Sequence, residues 1–203
     1  MDVGELLPTS IALANESPIV YGAPKNLDWR WFSDNGFLDT TSGDDAWVWL
    51  KPIESVSLDS PSVGDFAFDD CQTLVTVNLS SNVRSIGESA FYKCGHLQTI
   101  SGLDNVRRLG NWAFDRCVNL QLNHLPTNLV DMGYGAFANC QKLVGDITIP
   151  SGVTCIGEQT FVNCSGLTDV TIHANVVEVG EDAFAGCSAM ARLTFQGRTL
   201  EQV

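Results

Sequence analysis

The chain has 203 residues with 44% hydrophobic content, 24 acidic residues against 11 basic ones and a net charge of −13. That length and composition suit one or two ordinary globular domains. The acid excess excludes the basic footprint that nucleic acid or an anionic membrane surface requires.

Residues 1–18 read MDVGELLPTSIALANESP, with no basic n-region and no continuous apolar h-region. No signal peptide is therefore expected in the chain as it stands. No apolar run approaches the roughly 18–20 residues needed to span a bilayer, so membrane insertion is not expected. Residues 1–60 carry ten acids and three bases. The excess suits solubility, and it equally suits a basic partner or calcium.

The segments NLDWRWF (26–32) and WVWL (47–50) hold four of the five tryptophans. Trp29/Trp31 and Trp47/Trp49 alternate as strand residues do. Residues 1–52 are expected to form an N-terminal cap or small β-rich segment ahead of the rest of the chain. An acidic, aromatic ligand site at the same four tryptophans is the competing expectation. IESVSLDSPSV (53–63) looks like a shortened first turn, with Val56 and Leu58 as its inward pair.

From Gly64 onward the chain repeats. Copies begin at Gly64, Gly87, Gly110, Gly133, Gly157 and Gly180, and open GDFAFDDC, GESAFYKC, GNWAFDRC, GYGAFANC, GEQTFVNC and GEDAFAGC. The fifth place is always phenylalanine, from Phe68 to Phe184, and the eighth always cysteine, from Cys71 to Cys187. A large apolar residue follows three places later: Leu74, Leu97, Leu120, Leu143, Leu167 and Met190. A fixed period of about 23 residues marks a solenoid, in which no turn buries its apolar face alone and stacking supplies the core.

Each copy continues into a short alternating segment, such as Val77/Leu79, Ile147/Ile149, Val170/Ile172 and Leu193/Phe195, which predicts a strand with one apolar face. A second apolar pair follows, from Val83/Ile86 to Val176/Val179, and seals another wall. The A-F-x-x-C stretch is too short for a long helix and predicts a single helical or 3-10 turn. The leading glycine predicts either a corner with φ > 0 or a close backbone approach. Three copies depart from the strand pattern. Gly102 and Asn123 stand where an apolar strand residue belongs, with Leu103 and Leu122 displaced by one, and the fourth copy has an extra residue near Gly145.

These residues resemble the BspA-like family of leucine-rich repeats, whose pattern ITIPSGVTCIGEQTFVNC (147–164) matches almost position for position. The resemblance covers 53–203. It implies an α/β-type solenoid: a right-handed leucine-rich-repeat superhelix with a parallel β-sheet on one side and short helical or 3-10 turns on the other. It implies adhesion or protein interaction, often at a bacterial or protist surface, with a protein partner (extracellular-matrix or host surface) or a glycan. It carries no catalytic residues. The alternative is a structural spacer or tip of a larger multidomain or phage-tail-like protein, with self-association through the C-terminal end of the solenoid.

The outward strand positions form two columns that make the candidate ligand-binding face. One is Thr76, Thr99, Leu122, Asp146, Asp169 and Arg192; the other is Asn78, Ser101, His124, Thr148, Thr171 and Thr194. Threonine is also simply a good strand residue, and the face lacks the Trp/Tyr/Arg cluster of a hot spot. Phe66, Trp112 and Tyr134 sit at variable places and are expected to expose aromatic rings along one edge. The repeat cysteines lack the C-x-x-C spacing of zinc sites and are expected to be buried thiols. Cys155, beside Ile156, is expected to point outward. His96, His124 and His173 have no acidic or cysteine partner at catalytic spacing, and no nucleophile-elbow, zincin or P-loop motif occurs. No enzyme, metal or cofactor is expected.

Overall fold

The computed structural model describes residues 54–197, together with the backbone of Ile19–Val20 and Asn26–Leu27. The four tryptophans Trp29, Trp31, Trp47 and Trp49 lie outside the described residues.

The described chain is a parallel β-solenoid of about six turns. Its strand wall is built from β1 (Ile19–Val20), β3 (Ser55–Leu58), β5 (Thr76–Leu79) and β7 (Thr99–Ser101) in one sheet, and β10 (Gly145–Thr148), β12 (Leu167–Ile172) and β14 (Arg192–Phe195) in another. All pairings are parallel, with Val56 beside Val77 beside Ile100, and Ile147 beside Val170 beside Leu193. Inward residues alternate with outward ones: Val56, Leu58, Val77, Leu79, Ile147, Ile149, Val170 and Ile172 are all buried. The second wall is two-residue strands: β2 (Asn26–Leu27), β4 (Ser62–Val63), β6 (Ser85–Ile86), β8 (Arg108–Leu109) and β9 (Asp131–Met132), then β11 (Cys155–Ile156) and β13 (Glu178–Val179). Its apolar pairs are buried through Val153/Ile156; in the last pair Val176 is buried and Val179 is 43% exposed.

The third wall departs from the sequence expectation. The A-F-x-x-C stretches are not helical. Among the described residues there is no α-helix, and the 3-10 segment Leu103–Asn105 lies elsewhere. Each stretch is a chain of reverse turns closed by i→i−3 bonds such as Ala67→Gly64, Asp69→Phe66 and Cys71→Phe68. The reason is the backbone: the third place (Phe66, Ser89, Trp112, Gly135, Gln159, Asp182) has φ between 51° and 58°, and the seventh (Asp70, Lys93, Arg116, Asn139, Asn163, Gly186) between 56° and 74°. A left-handed residue every four positions prevents any right-handed helix. It also turns alternate amides along the solenoid axis, where they pair with the next turn: Phe66→Glu88, Phe68→Ala90 and Asp70→Tyr92, at 2.8, 2.7 and 2.8 Å. These inter-turn bonds offset the strain of holding bulky residues such as Phe66 and Trp112 at positive φ.

The repeat glycine serves the second of its two expected purposes. Gly87, Gly110, Gly133 and Gly180 are absent from the positive-φ positions, but a Cβ on Gly110 would sit 2.4 Å from the Glu88 amide nitrogen. Only glycine lets successive turns approach this closely.

The core is a set of stacked columns. Phe68, Phe91, Phe114, Phe137, Phe161 and Phe184 stack with centroids 5.3–5.7 Å apart. The interplanar angle is 12° between Phe114 and Phe137 and at most 5° elsewhere in the column. Beside it runs a column of Ala67, Ala90, Ala113, Ala136, Thr160 and Ala183, all buried. Thr160 fits because its hydroxyl donates to the Gly157 carbonyl at 2.8 Å. The cysteine column is tied across turns: Cys94, Cys117, Cys140, Cys164 and Cys187 each donate a thiol hydrogen bond to the phenylalanine carbonyl one turn earlier, at 3.0–3.2 Å.

Candidate binding face

The outward side chains of the strand wall lie in fixed register on two panels. On the first, Thr99 Oγ1 donates to Thr76 Oγ1 at 3.3 Å and Ser101 Oγ to Asn78 Oδ1 at 2.9 Å. On the second, Thr168 Oγ1 donates to Asp146 Oδ1 at 2.8 Å and Arg192 pairs with Asp169 at 3.5 Å. Thr148, Thr171 and Thr194 follow in adjacent register. Eleven of the twelve expected face residues are at least partly exposed. The correction is Leu122, which is 9% exposed and faces the core.

The panels are separate because the third copy forms no strand. Asn123 holds the place filled by Val77, Ile100, Ile147 and Val170 in other copies. Burying its amide among apolar side chains without a partner would cost several kcal/mol, on the order of 2–7, so the segment turns instead. Asn123 and His124 become exposed while Leu122 and Leu125 enter the core. Gly102 prepares the same break one turn earlier: its φ is 75°, and a Cβ there would meet the Leu79 carbonyl oxygen at 2.0 Å. The chain then enters the 3-10 segment that buries Leu103. The fourth copy absorbs its extra residue as a register shift between Gly145 and Asp146.

The break leaves a cleft of about 190 Å³ lined on one side by Ile100, Leu103 and Asp104 and on the other by Gln121, Asn123 and His124. His124 Nδ1 lies 2.9 Å from the Leu125 carbonyl oxygen and 3.7 Å from Asp104 Oδ1. Asp104 Oδ1 also accepts the Thr127 amide at 2.9 Å. The sequence singled out His124 but missed Asp104 and the cleft; the available signal was the polar residue at an apolar place.

The remaining candidates separate cleanly. Among the described residues all seven cysteines are free, six buried and Cys155 exposed. Burial pushes the thiols of Cys94, Cys117, Cys140 and Cys164 well up, holding them protonated as the hydrogen bonds require. Cys155 lies 3.9 Å from Glu178, and its thiol is raised by desolvation and then by that carboxylate. Phe66, Trp112 and Tyr134 expose 37%, 39% and 55% of their surface, forming the expected aromatic edge. No group of three or more metal-ligating side chains occurs among the described residues, and no helix there is long and apolar enough to cross a membrane.

Parallel strands at a 23-residue period, a stacked phenylalanine column and an adjoining cysteine column define a leucine-rich-repeat solenoid. A family model described as the BspA type leucine rich repeat region matches six copies over residues 40–145 and 141–202, and the chain belongs to that family. Among solved structures it is similar to a T. pallidum leucine rich repeat protein at 27% identity and TM-score 0.52, covering 68% of this chain and 78% of that one. It is similar to a leucine rich cell surface protein of Faecalibacterium prausnitzii at 23% identity and TM-score 0.56, covering 90% of this chain and 51% of that one. It shares the fold of the pneumococcal vaccine antigen PcpA at 21% identity and TM-score 0.50, with 60% of this chain and 31% of that one covered. The chain thus spans about half the length of the second and under a third of the third. It matches no curated protein sequence.

Proposed function

We propose that the chain is a non-enzymatic binding module that takes a protein or glycan partner on its strand wall. The observation that carries this reading is the fixed register of the outward columns. Thr76, Thr99, Asn78 and Ser101 on one panel, and Asp146, Asp169, Thr148, Thr171 and Thr194 on the other, are held at the spacing of parallel strands, about 4.8 Å. A partner meets a preorganised surface and loses little affinity to ordering it. The faint hydrogen-bonded texture of the face, with no Trp, Tyr or unpaired Arg, suits a modest-affinity, extended contact. Residues 1–52 act as the cap; the parallel pairing of β1 with β3 and β2 with β4 supports that role. Placement at a cell surface, with an extracellular-matrix or host protein as partner, is the part of this reading that family membership supports.

The second reading is a spacer or tip in a longer protein. It is favoured by the column construction, in which every turn is tied to the next along the third wall. One experiment separates the two. The chain is screened against immobilised extracellular-matrix proteins and a glycan array beside a Thr76→Lys/Thr194→Lys variant, which places a cation on each panel away from the central cleft. The binding-module reading expects a ligand whose affinity falls at least tenfold in the folded variant. Unchanged affinity would remove the strand wall as the site. A chain that binds nothing and self-associates would establish the spacer instead.

A further inference from the structure

We propose that the cleft at the third turn is a saccharide subsite that holds one uncharged pyranose ring. The inference rests on the binding-module reading and gives it a ligand class at a defined place. Three features converge there.

The first is construction. The cleft exists because Asn123 and Gly102 break a pattern kept by the flanking copies, and the break exposes polar groups that a regular turn would exclude. The amides of 122–125 form no ladder to the second turn, whereas Gln121, just before them, still donates to the Gln98 carbonyl at 3.0 Å. Ile100, whose counterparts Val77, Ile147 and Val170 are fully covered, is only partly buried at its edge.

The second is size. A cleft of about 190 Å³ falls below the roughly 300–1,000 Å³ of a pocket for a drug-sized ligand. It admits a single ring, with the remainder of any larger ligand lying along the wall.

The third is hydrogen-bonding character. A carbonyl oxygen can only accept, so the contact with Leu125 assigns the proton of the neutral His124 ring to Nδ1. Nε2 is then an acceptor. Asp104 contributes a second acceptor through Oδ2, since its Oδ1 is occupied by the Thr127 amide. Gln121 and Asn123 each bring an amide that both donates and accepts. Acceptors and amides spread around a small perimeter match a ring of hydroxyl groups, each donating and accepting in turn. Leu103 and the partly covered Ile100 supply an apolar surface for the C–H face. A lone ammonium or guanidinium would satisfy Asp104 but leave both amide donors without acceptors, and an anion would meet Asp104.

The test is saturation-transfer NMR on the full 203-residue chain with the methyl glycosides of glucose, galactose, mannose and N-acetylglucosamine at millimolar concentration. At least one should receive saturation, and the effect should fall at least tenfold in Asn123→Val, which restores an apolar residue at the strand place and closes the cleft. His124→Ala is the second variant, deciding the matter if Asn123→Val does not fold. Val177→Ser, an exposed position on the second wall, should leave this signal unchanged, and because the strand wall is tested by its own variant the two readings fail separately. The proposal is overturned if none of the four glycosides binds, if binding survives in folded Asn123→Val, or if methylguanidinium binds in their place.

Discussion

The copies beginning at Gly87 and Gly110 share the glycine, alanine, phenylalanine, cysteine and leucine places of the repeat, yet one continues the strand wall and the other interrupts it. In the second copy Ile100 pairs with Val77 and extends the first panel. In the third, Asn123 at the equivalent place ends it. The third wall passes through both without change: Phe91 and Phe114 stack at 5.4 Å and 2°, and Cys117 bonds the Phe91 carbonyl as Cys94 bonds that of Phe68. The glycine–phenylalanine–cysteine wall holds the solenoid together, and the strand wall is therefore free to vary. The proposed binding face lies on the wall that varies.

That division can be broken at its strong side first. Phe114→Ala removes a fully buried ring from the middle of the column and should cost about 3–5 kcal/mol, read by urea denaturation. Phe184→Ala, at the partly buried end of the column, should cost well under half as much. Equal costs would mean that the stack is not the common support.

On the variable side, Asn123→Val should stabilise the fold by about 1 kcal/mol, the scale of strand propensity plus modest apolar burial, read by the same denaturation. A smaller effect is expected at Asp115, a buried carboxylate on the third wall that accepts from Asn139 Nδ2 at 2.7 Å. Desolvation raises its pKa, with the Asn139 bond opposing in part. The folded state thus favours the protonated form: the contribution is fully present below the ordinary aspartate pKa and is lost as pH rises through the raised folded value. Asp115→Asn should therefore gain on the wild type as pH rises from about 3 to neutrality, measured by melting at both ends. A constant difference would contradict the assigned cause. Least perturbing is thiol labelling. Of the seven cysteines only Cys155 should react in the native chain, faster at higher pH, with the other six appearing on unfolding.

Much of this division was legible in the sequence. The unvarying Phe and Cys places announced the core, and alternation announced the strands, the outward Cys155 and the irregular second and third copies. The turn conformation was not legible. Its left-handed residues at the third place include Phe66, Trp112 and Gln159, which carry no preference for positive φ; the inter-turn amide ladder, a property of stacking, imposes it. The seventh place did carry a signal in Asp70, Asn139, Asn163 and Gly186, diluted by Lys93 and Arg116. Leu122 was misplaced because strict alternation was carried through a segment that Asn123 had already taken out of strand geometry. Asp104 joined the site only once the fold brought it beside His124.

A single polar residue at an apolar place opens the strand wall while the third wall stays closed. Amide hydrogen exchange resolved residue by residue tests it most directly. Exchange should be fast at 122–125, slow in the strands Thr76–Leu79 and Leu167–Ile172, and slow at Phe114 and Arg116, whose amides reach Ala136 and Ala138 at 2.9 Å. Protection at 122–125 equal to that of the flanking strands would show a continuous sheet, with no opening at Asn123.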